Sequence, residues 1–120
     1  MTIKFIGIVG AGTMGSGISQ IIAEAGYQVV MRDIKSDFVE NGMEKIEKSL
    51  ERKTKKDKIT EEEKEKVMQR IKGTTDVIDL QEMDIIIEAV NEKMKLKKDI
   101  FKELDDICDE STILVSNTSA

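Results

Sequence analysis

Histidine is absent from this 120-residue sequence. Its absence removes the commonest general base and the commonest metal ligand. Cysteine occurs once, at Cys108, which excludes an intramolecular disulfide and any multi-thiolate metal site, and suits a reducing compartment. No metal is expected. Tryptophan is missing, and aromatic residues make up only 3% of the chain. Basic residues are outnumbered, 19 Lys and Arg against 24 Asp and Glu, for a net charge of −5. An acidic chain without aromatic clusters lacks the basic face that phosphate backbones require, so nucleic acid is not an expected partner. No apolar run approaches the ~18 residues of a membrane span. The first strand candidate begins at Ile3, which leaves no room for a signal or transit peptide. A cytoplasmic protein with no membrane contact is the expectation. Proline is absent too, and no repeat or low-complexity linker divides the chain, so a single domain over residues 1–120 is expected.

What is present alternates. Ile3 to Val9 is almost entirely β-branched or bulky apolar, the pattern of a strand buried on both faces. Met14, Ile18, Ile21, Ile22 and Ala25 recur at helical spacing, and Gly26 stands where a helix C-cap glycine belongs. Gln28 to Arg32 reads as a second strand closed by Asp33. Phe38, Val39, Met43, Ile46 and Leu50 mark one face of a long helix from near Ser36 into the charged stretch 51–58, with its far end protruding. Thr60 and Glu63 form a capping-box pattern for a second charged helix, expected to run to about Lys72. A short strand at Thr74 and Thr75, a turn from Asp79 to Met83, a strong strand from Asp84 to Val90, a helix through Met94, Ile100, Leu104 and Cys108, and a strand from Thr112 to Ser116 complete the pattern. Such alternation builds a parallel sheet with right-handed crossovers.

Gly10, Gly12 and Gly15 have the G-x-G-x-x-G spacing, which alone is a weak signal. Here the motif follows a buried strand, opens a helix, and is followed by Asp33 at about the ~20-residue distance of a ribose-binding acid. Gly10 permits the tight turn, Gly12 lets backbone N–H groups approach a pyrophosphate, and Gly15 lets the helix pack closely on the sheet. Ala11, Thr13 and Met14 complete the turn, and the helix N-terminus favours phosphate. Asp33 can also be read as a helix N-cap for the following segment, a role that does not exclude ribose binding. As a ribose ligand it favours NAD over NADP, although Arg32 beside it could tolerate a 2′-phosphate.

Gly10-Ala-Gly-Thr-Met-Gly15, Arg32-Asp33-Ile34, Glu88-Ala89-Val90-Asn91-Glu92, Lys97 and Ser116-Asn117-Thr118-Ser119 together resemble the amino-terminal half of the short-chain 3-hydroxyacyl-CoA dehydrogenases, most of all the bacterial 3-hydroxybutyryl-CoA dehydrogenases. The resemblance covers all 120 residues. It implies an α/β fold, a Rossmann-type doubly wound parallel sheet of strand order 3-2-1-4-5, with a charged helical arm inserted over about 36–72. It also implies NAD-linked interconversion of 3-hydroxyacyl-CoA and 3-ketoacyl-CoA. Ala89, Val90, Glu92 and Lys97 would contact the cofactor, and Asn117 would line its cleft. Ser119 would hydrogen-bond the reacting substrate oxygen, and Ser49 and Lys56 would hold the CoA nucleotide and its phosphate. An acyl-CoA substrate and a homo-oligomer belong to the same expectation. The family's catalytic histidine, its paired glutamate and its helical domain have no counterpart in these residues, and Ala120 stands where the family continues with serine.

Plainer readings stand beside these. Lys53, Lys55, Lys56 and Lys58 suit an ordinary solvated helix end. Ser116 and Ser119 suit strand-end hydroxyls on local backbone, Glu88 a strand residue reaching solvent, and Cys108, Met14, Met43, Met68 and Met94 helix packing. The rival function is a non-catalytic NAD(H)-binding or redox-sensing module, favoured by the missing histidine and opposed by the Ser116 to Ser119 motif.

Overall fold

Buried apolar strands joined by helices can close their hydrogen bonds only side by side and in parallel, because each crossover returns the chain to the same edge of the sheet. The computed structural model describes residues 3–89, 104, 106–108 and 111–116 and has this arrangement. Its elements are β1 (Phe5–Val9), α1 (Thr13–Glu24), β2 (Gln28–Arg32), α2 (Ser36–Lys55), α3 (Glu61–Gln69), β3 (Ile71–Thr74), a 3-10 turn (Val77–Leu80), β4 (Ile85–Glu88) and β5 (Ile113–Ser116). The strands lie in the order β3-β2-β1-β4-β5, every pair parallel, which is the expected doubly wound order.

Side chains alternate between the faces of the sheet. Ile6, Ile8, Val29, Met31 and Ile71 enter a core closed by Ala23 of α1, Ile46 and Leu50 of α2, and Val67 of α3. On the other face Val9 and Ile86 meet Leu80, Met83 and Leu104. β1 is therefore buried on both faces from Ile6 to Val9, as its unbroken apolar run requires. Leu104, Asp106 and Ile107 are helical; the rest of the helix expected from Met94 through Phe101, with Met94 and Ile100, lies outside the described residues.

Capping decides several boundaries. Thr60 and Glu63 form the reciprocal capping box that starts α3, and Gly26 follows α1 with φ +106°. Three expectations are corrected. α3 stops at Gln69, and Ile71 and Lys72 belong to β3, where they pair with Val29 and Val30. Ile21 is 69% exposed rather than part of the packed face of α1. Thr75, expected within a strand, lies past the end of β3 at Thr74; on α2, Lys53 makes a 2.6 Å ion pair with Glu24 at the end of α1.

At the amino-terminal edge, Asp84 joins β1 to β4. Its Oδ2 accepts from the backbone N–H groups of Lys4 and Phe5, each at 2.9 Å, and these bonds hold its carboxyl below the ordinary aspartate value.

Candidate functional site

The five strands finish level. Thr74 lies opposite Arg32, Arg32 opposite Val9, Val9 opposite Glu88, and Glu88 opposite Ser116, one row across the carboxyl edge of the sheet. Backbone bonds carry the alignment one residue further. Gly10 N–H donates to Arg32 O at 2.7 Å, Asp33 N–H to Thr74 O at 3.2 Å, and Ala89 N–H to Val9 O at 2.8 Å. The strand order reverses between β1 and β4, and in open α/β sheets such a reversal is where ligands bind; Gly10 and Ala89 follow the two strands at that point.

The glycine turn is built tightly at two of its glycines and openly at the third. Gly10 has φ +113°, the left-handed region that favours glycine. A Cβ on Gly15 would lie 1.8 Å from Gly10 O, so α1 reaches the turn only because that carbon is missing. Gly12 is different. It is the N-cap of α1 at φ −72° and ψ −165°, a conformation open to any residue, and a Cβ there would meet nothing within 4 Å. The fold makes no demand for glycine at this point, and the space over it suits a group that must come close to the helix N-terminus. Thr13 and Met14, in the first turn of α1, are exposed. Met14 is 55% exposed, so core packing does not account for it.

Asp33 is not a helix N-cap, because Lys35 occupies that position at α2. Its Oδ2 accepts from Ala11 N–H at 2.8 Å and its Oδ1 from Ile34 N–H at 2.7 Å. The carboxylate thus braces the glycine turn and keeps lone pairs for two further donors, such as vicinal ribose hydroxyls. Arg32 turns elsewhere, its Nε donating to Thr75 O at 3.1 Å. Glu88, expected at solvent, is fully buried in the strand-end row, and Ala89 beside it is buried as well.

Two α2 residues that sequence reading passes over border the turn. Gly42 abuts Ala11, where a Cβ would stand 2.6 Å from the carbonyl oxygen. A glycine in the middle of an otherwise good helix was the available signal, since it costs about 1 kcal/mol against alanine unless packing needs it. Lys45, one turn on, places Nζ 3.2 Å from Thr13 Oγ1; no local pattern marks it.

Ser49 is half-buried on α2, and Lys56 is the exposed C-cap of that helix. A cleft of about 410 Å³ at the elbow of the arm is lined by Thr54, Asp57, Lys58, Ile59, Thr60, Glu61 and Glu63, without either of them. Val90, Glu92, Lys97, Asn117 and Ser119 lie outside the described residues, as does the side chain of Ser116. Among the described residues no helix is long and apolar enough to cross a membrane.

Comparison with known proteins agrees with this geometry. The chain is 44% identical over its whole length to a probable 3-hydroxybutyryl-CoA dehydrogenase of Bacillus subtilis, spanning 42% of that protein. It is 43% identical over 114 residues to the corresponding protein of Deinococcus radiodurans, spanning 41% of it. Among solved structures it matches (S)-3-hydroxybutyryl-CoA dehydrogenase from Ralstonia eutropha with a TM-score of 0.95 and 47% identity, over 99% of this chain and 42% of that one. The chain thus spans about two fifths of the length of the relatives it matches. Residues 5–120 match the model of the 3-hydroxyacyl-CoA dehydrogenase NAD-binding domain, and the chain belongs to that family.

Proposed function

We propose that this chain is the NAD(H)-holding part of an enzyme that interconverts 3-hydroxyacyl-CoA and 3-ketoacyl-CoA, with 3-hydroxybutyryl-CoA as the first substrate to try. The observation that carries the reading is the open N-cap at Gly12. It stands between a carboxylate poised for ribose and a strand-end crevice, and it leaves room for a pyrophosphate against the helix N-terminus. The residues fit the cofactor. Gly10, Ala11, Gly12, Thr13, Met14 and Gly15 would hold the pyrophosphate and Asp33 the adenosine ribose. Ala89, Val90, Glu92, Lys97 and Asn117 would follow the cofactor along the carboxyl edge of β4 and β5. When bound, the nicotinamide supplies hydride transfer, and the protein supplies position and electrostatics. Ser119, three residues past the end of β5, would donate a hydrogen bond to the substrate oxygen. Ser49 and Lys56, on the arm, would meet the CoA nucleotide.

An acyl-CoA partner belongs to the same reading, with support from the names of the relatives; a cytoplasmic setting and self-association are proposed with it. Binding of NADH, followed by fluorescence or calorimetry, tests it. Gly12→Val places a branched side chain in the phosphate path and should abolish binding while the protein stays folded. Asp33→Ala should weaken NADH and narrow its advantage over NADPH. Unchanged NADH affinity in Gly12→Val sinks the assignment.

A further inference from the structure

We propose that Lys45 is a pyrophosphate-positioning residue of the NAD(H) site, a cation delivered from α2 to the N-terminus of α1. The inference rests on the cofactor reading above and adds to it a residue outside the glycine motif.

Three observations carry it. Lys45 Nζ lies 3.2 Å from Thr13 Oγ1, and Thr13 is the first residue of α1, next to the open N-cap. Gly42 lies one turn earlier on the same face of α2. Its missing Cβ lets the helix approach Ala11 to a distance that any larger residue would forbid. The approach of the backbone therefore aims the lysine. Among the described residues no carboxylate forms an ion pair with Lys45, whereas Lys48, Lys53, Lys66 and Lys72 each have one. A helix N-terminus contributes roughly half a positive charge. A dinucleotide brings two negative charges to a protein whose own net charge is −5. A lysine at the rim supplies the attraction that the acidic surface withholds, and it keeps three donors, of which the Thr13 hydroxyl takes one.

Lys45→Gln keeps a polar side chain, one atom shorter, and removes the charge. It should weaken NADH and ADP-ribose by roughly fivefold, the scale of one exposed charge. Adenosine, which has no phosphate, should bind as before. The dependence of NADH affinity on salt should become shallower, because one screened attraction has gone. Lys45→Arg should restore both affinity and salt dependence, and the urea midpoints of all three proteins should agree. Equal weakening of NADH, ADP-ribose and adenosine would mean that Lys45 only shapes the fold, and unaltered NADH affinity in Lys45→Gln would mean that it does not touch the phosphates; either result overturns the inference alone. Failure of the unaltered chain to bind NADH overturns the cofactor reading, and this inference with it.

Discussion

Two glycines in one turn, Gly12 and Gly15, separate what the fold needs from what a ligand needs. Gly15 faces Gly10 O at a distance that no Cβ tolerates. Gly15→Ala must push α1 off the end of β1, and overpacking of that kind costs about 1–3 kcal/mol or more. A lowered urea midpoint, with NADH binding reduced in step, is the expected outcome. A midpoint equal to that of the unaltered chain would show that the turn can relax. For Gly12 the expectation reverses, with stability kept and binding lost. The motif was legible in the sequence because its glycines lie close together along the chain. Lys45 and Gly42 were not, because their part depends on how α2 meets a turn some thirty residues earlier. Glu88 misled for a similar reason. An acidic residue at a strand end ordinarily reaches water, but this one is buried, on a strand paired on both sides by β1 and β5.

At the scale of elements, amphipathic helices and strands of unbroken apolar residues could be read directly. α2 starts at Ser36 and the Thr60 capping box starts α3, both as anticipated. The start of β3 could not be read: the strand expected at Thr74 and Thr75 begins at Ile71 and ends at Thr74. Ile71 follows Arg70 with no proline or glycine between, and its strand character comes from pairing with Val29. Gly73, one residue past the expected helix end at about Lys72, lies inside β3, where a Cβ would stand 2.5 Å from Val39 Cγ1. The opposite edge of the sheet carries a pH prediction. Because the native carboxyl of Asp84 titrates below its ordinary value, its stabilising bonds to Lys4 and Phe5 are fully present above about pH 3.9 and are lost as pH falls through the lower native value. Asp84→Asn should lower stability at neutral pH and flatten the acid limb of the stability curve. An acid limb of unchanged slope would assign that sensitivity to other carboxylates.

For the whole molecule, binding and chemistry should come apart. The chain has the glycine turn and Asp33 but no histidine to serve as acid and base in the proposed reaction. It is expected to bind NADH and to leave acetoacetyl-CoA unreduced, as followed by NADH absorbance; sustained turnover would mean that another group supplies the proton that the ketone oxygen takes as hydride arrives. The level row from Thr74 through Arg32, Val9 and Glu88 to Ser116 has a consequence for how such a protein can change over time. The seat above it is drawn chiefly by backbone atoms, whose positions follow from strand register and not from which apolar side chain fills each core position. Residues inside the sheet can therefore drift while the seat keeps its shape. Insertions can lengthen the crossovers at the opposite edge, whereas a single residue gained or lost within β1 or β4 would shift the row and erase the seat in one step.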